Sequence, residues 1–423
     1  MREKLECKLE CKFCGKEKTN DLKLLRSVVY KDIFICEVCA ELAYKISTET
    51  EANETIAKEK QEASMLKPSI IREYLDKYII NQEQAKKVLS VAMYNHDKRI
   101  KYNKLHTNKN DTQIKKSNIL MVGPSGSGKT LFVETLAKQI GVPYAICDAS
   151  SLTEAGYVGA DVETVLQKLI ENANGDIELA EKGIIFLDEI DKIGRKGQNV
   201  SLTRDVGGEG TQQALLKMLE GSIVSVPMQG NRKHPNKECY KINTSNILFI
   251  CGGAFEGIEK IIEQRLCKKH KIGLTNKKET NKGNNKKSFN ELINNITSND
   301  LKAFGMIPEL LGRLPIICPL EALDRDALVK ILTEPVDSIT KQYQILLKED
   351  GVDLMFDQDC LNAIADKAIK QGTGARALRS IMESFMIDHM YTIPDINAKT
   401  ITFTKECVTD NALPIITYYS DNE

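Results

Sequence analysis

The stretch GPSGSGKT, Gly123–Thr130, restricts what this chain can fold into more than any other eight residues in it. It fits G-x-x-x-x-G-K-[ST], in which small residues let backbone N–H groups close around an anion at the start of a helix. Such a loop works only between a buried strand and a helix. The flanks comply: NILMV (118–122) is a short apolar run, and KTLFVETLAKQI follows with helical spacing. Two further apolar runs, GIIFLDE (183–189) and NILFICGG (246–253), alternate with amphipathic segments such as TQQALLKMLE. Apolar strands alternating with helices predict an α/β fold, a doubly wound parallel sheet covered on both faces.

The motif assigns chemistry to its residues. Gly123, Pro124, Ser125, Gly126, Ser127, Gly128, Lys129, Thr130 and Leu131 are expected to hold ATP. Lys129 would reach the β- and γ-phosphates, and the Thr130 hydroxyl would hold Mg2+. Downstream, an apolar strand ends in Asp188–Glu189. Asp188 would assist the Mg2+, and Glu189 would polarise the attacking water.

The chain has twelve cysteines in 423 residues. Four form CKFC (Cys11, Cys14) and CEVC (Cys36, Cys39), separated by 21 residues. Two CxxC pairs match a tetrahedral four-thiolate zinc site, and Zn2+ would replace the core that a module of about 40 residues cannot build. Cys7 is a less regular candidate ligand. The spacing leaves open what the module binds: DNA, a protein or a second copy. Cys147, Cys251 and Cys318 sit singly in apolar stretches and read as small core residues of a reducing compartment.

Charge narrows the partners. Lys+Arg and Asp+Glu both count 59, so the net charge is zero, which argues against bulk nucleic acid as the main partner. No apolar run approaches the ~18 residues of a membrane span, and the N-terminus lacks an apolar signal core; a soluble, cytoplasmic protein is expected. The expected organisation is a zinc module (1–46), a charged linker (47–66), a large ATPase domain (67–320), a small, mostly helical domain (321–410) and a tail (411–423). The Asn/Lys-rich stretch 268–290 reads as a long exposed loop.

In this order, NQEQAKKVLSVAMYNHDKR, GPSGSGKT, LTEAGYVGADVE, LDEIDKI, SLTRDVGGEGTQQALLKMLEG, GNRKHP, NILFICGGAFEG, FGMIPELLGRLP and GTGARALRSIMES resemble the ClpX family of AAA+ unfoldases, over nearly the whole chain to about residue 410. The resemblance implies a homohexameric ring that recognises, unfolds and translocates proteins into the ClpP peptidase, with substrates and adaptors met by the zinc module. Tyr157 and Val158 match the pair that grips polypeptide in the pore. Arg204 falls in the second pore loop, and Arg232, Lys233 and His234 in the entrance loop. Arg313 matches the arginine finger that reaches a neighbouring subunit's nucleotide, and Arg376 the sensor-2 arginine. Ile272, Gly273 and Leu274 match the loop that docks on ClpP. The chain departs from its relatives at Leu274, where many have Phe, and at Asn81, where Gly is usual. The sensor-1 position, near Cys251–Gly253, shows no polar side chain.

No protease constellation is visible among five dispersed histidines, so peptide cleavage falls to a separate peptidase. HslU is a rival within the class, but it lacks a zinc module. A zinc-ribbon nucleic-acid-dependent ATPase of the helicase-loader type would predict a basic groove; zero net charge and the Tyr157 loop weigh against it. A scaffold with a decayed ATPase is opposed by the complete set Lys129, Thr130, Asp188 and Glu189.

Overall fold

The computed structural model describes residues 9–18, 23–27, 33–44, 67–106, 112–153, 160–161, 163–194, 209–227, 239–269 and 288–419. The chain divides into two compact units, Met1–Lys67 and Pro68–Glu423. In the first, strands Leu24–Arg26 and Phe34–Cys36 pair antiparallel, with Leu25 opposite Ile35. A helix over 37–44 follows directly.

The second unit is built on five parallel strands: β1 (Ile119–Val122), β2 (Tyr144–Asp148), β3 (Ile184–Asp188), β4 (Leu248–Gly253) and β5 (Ile316–Pro319). Their order is β5-β1-β4-β3-β2. The apolar runs are continuous because both faces are covered. Successive side chains of a strand point to opposite faces, and the core divides accordingly. Leu120, Val122, Ile185, Leu187, Phe249 and Cys251 fall in one hydrophobic cluster. Ile119, Met121, Ile184, Phe186, Leu248 and Ile250 fall in the other.

The second face is closed by α1 (Pro68–Asp76), α2 (Glu83–Leu105) and α3 (Lys129–Ile140), through Ile71, Leu75, Leu89, Phe132 and Leu136. The first is closed by α4 (Thr164–Asn172), α5 (Glu209–Glu220) and α6 (Ile258–Lys269), through Leu166, Leu169, Leu215, Leu219 and Ile262. A short helix, α7 (Pro308–Arg313), leads into β5. Cys147, Cys251 and Cys318 are buried, as core residues are expected to be.

A third cluster lies wholly beyond residue 322. It joins α8 (Arg325–Thr333), α9 (Ile339–Glu349), α10 (Gln358–Gln371) and α11 (Arg376–Thr392) to a three-stranded sheet. In that sheet Ala398–Phe403 pairs parallel with Asp353–Phe356 and antiparallel with Ile415–Tyr418. This small, mostly helical domain thus draws a strand from beyond 410, where a tail was expected: Ile416 opposite Ile401 adds an apolar pair to the sheet.

Candidate nucleotide site and cysteine cluster

The phosphate loop runs from β1 into α3 and is gripped by the chain that follows β5. Gly126 sits at φ 75°, which favours glycine, and a Cβ there would lie 2.5 Å from the Thr373 carbonyl and 3.1 Å from the Ala375 nitrogen. A Cβ on Gly123 would lie 2.7 Å from Leu320. Residues 373–375 of the small domain therefore touch the loop directly.

Lys129 is buried. Its ammonium donates to the carbonyls of Gly123 (2.8 Å) and Pro124 (3.0 Å). Burial lowers its pKa, Asp188 and Asp191 oppose that, and the Arg376 guanidinium adds to it. Asp188, Asp191 and Arg376 thus all act on Lys129, although Arg376 comes from the first turn of α11. The Ser127 hydroxyl is buried with no partner among the described residues. An inward hydroxyl without a partner, a buried ammonium and a loop of backbone N–H groups at a helix start suit a polyphosphate. Thr130 follows Lys129 in the first turn of α3, and Leu131 is partly exposed.

The acidic pair closes β3. The Asp188 carboxylate accepts the Glu189 N–H at 2.9 Å. Glu189 has φ 57°. A left-handed conformation costs a non-glycine residue about 1–2 kcal/mol, and it persists here between buried Leu187 and buried Ile190. The Glu189 carboxylate is partly exposed and pairs with Lys192 on the next turn. Asp148, opposite Asp188 in register on β2, is held below the usual carboxylate range. Burial pushes it up, but Ser150, Glu189 and Lys192 together outweigh that. Strand β4, which lies between β1 and β3, ends in Gly252 and Gly253, where the sequence showed no polar side chain. A Cβ on Gly253 would lie 2.8 Å from Asp191 Oδ1, so these glycines leave space for the carboxylates.

Arg313 stands elsewhere. Its guanidinium donates twice to Glu220 Oε1 (2.9 and 2.6 Å), and its carbonyl accepts from the Asn118 side chain at 3.0 Å. Asn118 precedes β1, whereas the phosphate loop follows it; at about 3.3 Å per residue the two ends are roughly 16 Å apart. Asn81, where relatives usually have Gly, takes φ 55°. Tyr157, Val158, Arg204, Arg232, Lys233, His234, Ile272, Gly273 and Leu274 lie outside the described residues, as do the linker 47–66 and Cys7.

In the first unit the sulfurs of Cys11, Cys14, Cys36 and Cys39 all lie within 4.8 Å of one another. Cys14 Sγ and Cys36 Sγ are 3.7 Å apart. A tetrahedron with metal–sulfur bonds of about 2.3 Å has edges of about 3.8 Å, so the donor set fits Zn2+. Cys11 Sγ also accepts the Cys36 N–H at 3.2 Å. Burial pushes the Cys11 thiol up, yet backbone donors from Cys36, Cys14 and Phe13 bring it to about 6. Hydrogen bonds to Cys36 and Cys14 push Cys39 up to about 12.

The sequence had not singled out Asp191 or Asp148. Asp191 lies inside the quoted LDEIDKI, three residues past the end of β3, and Asp148 ends the run YAICD.

Two family models match the chain: the AAA domain (Cdc48 subfamily) over residues 114–317, and the C-terminal, D2-small domain of ClpB protein over residues 323–395. A protein of Treponema denticola named ATP-dependent Clp protease ATP-binding subunit ClpX is 51% identical over 394 residues, covering 92% of this chain and 91% of the relative. Proteins of the same name from Borrelia duttonii and Borrelia recurrentis are each 48% identical over 411 residues, covering 96% of this chain and 92% of theirs.

Proposed function

The chain belongs to the ClpX family, and from that premise we propose that it is the motor of a two-part protease: a homohexameric ring that unfolds proteins and feeds them to a ClpP peptidase. The chain hydrolyses ATP, with Mg2+ as the metal of that reaction. The observation that carries the reading is the phosphate loop between β1 and α3, with Lys129 buried at its end and residues 373–375 of the small domain packed against Gly126.

Each group has a task in that reaction. The phosphate loop holds the triphosphate, and Lys129 neutralises its β/γ end. Thr130 and Asp188 would hold the Mg2+, which would supply positive charge to the transferring phosphoryl group. Glu189 orients the attacking water. Arg376 rides on the small domain, so cleavage at the γ-phosphate is felt there as a change in pull on α11. Arg313 is a strand's length from its own phosphate loop and already paired with Glu220, which suits action on the nucleotide of a neighbouring copy.

The remaining roles rest on family membership alone. Tyr157 and Val158 grip polypeptide by contact area. Arg204, Arg232, Lys233 and His234 line the path, and Ile272, Gly273 and Leu274 dock on ClpP. The four cysteines hold Zn2+ as a structural metal, in a module that meets substrates and adaptors. The proposed organisation is a zinc module to 46, a linker to 66, a large domain to 320 and a small domain beyond it. The protein works in the cytoplasm, with no role for nucleic acid.

The test is ATP hydrolysis by the full chain, alone, with an unstructured protein and with DNA. Stimulation by the protein and not by DNA is expected, together with degradation only when ClpP and ATP are both present. Stimulation by DNA alone would replace this reading with the helicase-loader one.

A further inference from the structure

Beyond β5 the chain passes from the sheet into the small domain through Glu321 and Ala322. Neither lies in a strand, yet the four backbone polar groups of these two residues are all paired by two side-chain amides. Gln82 Nε2 donates to the Glu321 carbonyl at 2.8 Å, and the Glu321 N–H donates back to Gln82 Oε1 at 2.9 Å. Asn290, on the short helix Phe289–Ile293, repeats the arrangement. The Ala322 N–H donates to Asn290 Oδ1 at 2.8 Å, and Asn290 Nδ2 donates to the Ala322 carbonyl at 3.2 Å. A primary amide carries a donor and an acceptor side by side, the same pair that a backbone residue presents. A carboxylate lacks the donor, an ammonium lacks the acceptor, and a hydroxyl offers both on a single atom rather than side by side.

What the junction connects gives this pairing its consequence. On one side Leu320 presses on Gly123 of the phosphate loop, and its N–H donates to the Val122 carbonyl at 2.7 Å. On the other, Asp324 caps α8, accepting the Ala327 N–H at 2.8 Å. The α8 residues Leu328 and Leu332 share a core with Ala377, Leu378 and Ile381 of α11, the helix that Arg376 opens. The small domain therefore moves with α8, and Arg376 stands where residues 321–322 direct it. Gln82 is itself fixed: it is 3% exposed, and it follows Asn81 as the second of two consecutive left-handed residues that turn the chain from α1 into α2. A third amide reinforces the site, with Asn294 Nδ2 donating to the Glu321 carboxylate at 2.8 Å.

We infer that Gln82 and Asn290 are positioning residues for ATP hydrolysis: a two-amide clamp on the domain junction that holds Arg376 against the phosphate loop. This rests on Arg376 serving the nucleotide as proposed above. A clamp that only stabilised the fold would lower the melting temperature and leave the kinetic constants of the folded protein alone.

The experiment uses the full chain with Gln82→Met, Gln82→Glu and Asn290→Leu, each alone and combined with Arg376→Ala, assayed well below every variant's melting temperature. Each clamp variant is expected to raise the KM for ATP about tenfold, the scale of losing a buried hydrogen-bonded pair. On the Arg376→Ala background the same changes are expected to add no more than about twofold, because the contact they position is already gone. Asn290 sits on a different element from Gln82, so agreement between the two excludes a direct effect of Gln82 on nucleotide. It also keeps the test open if a Gln82 variant fails to fold. Full multiplication of the losses on the Arg376→Ala background, or unchanged kinetics with a lower melting temperature, overturns the clamp and leaves Arg376 in place. Unchanged kinetics in Arg376→Ala alone overturns the role of Arg376, and the clamp's route with it.

Discussion

In the cysteine unit Phe13, Leu25, Val38 and Tyr44 are 72%, 55%, 61% and 71% exposed, whereas every residue from Ile119 to Val122 in the sheet is fully buried. Among the described residues, the first unit has two three-residue strands, one helix and four sulfurs drawn together; the second has a sheet with a core on each face. Apolar burial contributes about 25 cal/mol per Å2, so the second unit gains stability wherever side chains meet. The described residues of the first offer little area of that kind, so its stability is expected to concentrate in the metal site proposed at its four cysteines. The two are therefore expected to fail under different insults.

The largest effect expected is the loss of that centre. Structural zinc contributes on the order of 10–16 kcal/mol to a small fold. Cys14→Ser is expected to abolish bound zinc and to unfold residues 9–44, while ATP hydrolysis by the second unit persists. Metal content and limited proteolysis measure the first, turnover the second. A Cys14→Ser chain that still carried one zinc would break the contrast at its root. Next comes packing: Phe186→Ala removes a fully buried ring from β3 and is expected to cost about 3–5 kcal/mol. Denaturant melts would show it in the second unit only, with zinc content unchanged.

Glu189→Gln separates chemistry from stability. Turnover is expected to fall about 100- to 10,000-fold, with ATP binding and both melting transitions retained. Near-normal turnover would return Glu189 to the role of a strained strand end. The smallest effect is at Asn81, where φ 55° suits glycine. Asn81→Gly relieves the left-handed strain but frees the unfolded chain, and the two nearly cancel, leaving under about 1 kcal/mol. A larger loss would mean that the Asn81 side chain holds something in place.

The same contrast governs what could be read from the sequence. The glycine loop, the acidic pair and the cysteine pairs were legible because their chemistry requires residues close together in the chain. β1, β3 and β4 were legible as continuous apolar runs. β2 was not singled out: YAICD alternates buried and half-exposed residues and ends in a charge. β5 is four residues that end in Pro319, and proline reads as a break. Arg376 and Arg313 carried no local signal and entered only through family resemblance. Gln82 was invisible for a plainer reason: its partner Glu321 is 239 positions away. No periodicity can report a bond of that span.

The strand order also sets a clock. β1 takes β5 as one of its two neighbours, Ile119 opposite Ile316, and roughly 200 residues separate the two in the chain. At about 5–20 residues per second, a ribosome needs roughly 10–40 s to deliver the second partner after the first has emerged. Throughout that interval one edge of β1 has no neighbour, and an open edge invites pairing with the wrong chain. Leu320, the wall behind Gly123, arrives at the end of the same wait. A nascent chain thus displays its nucleotide motif well before it can present a finished loop, and a chain halted short of β5 never closes that side of the sheet.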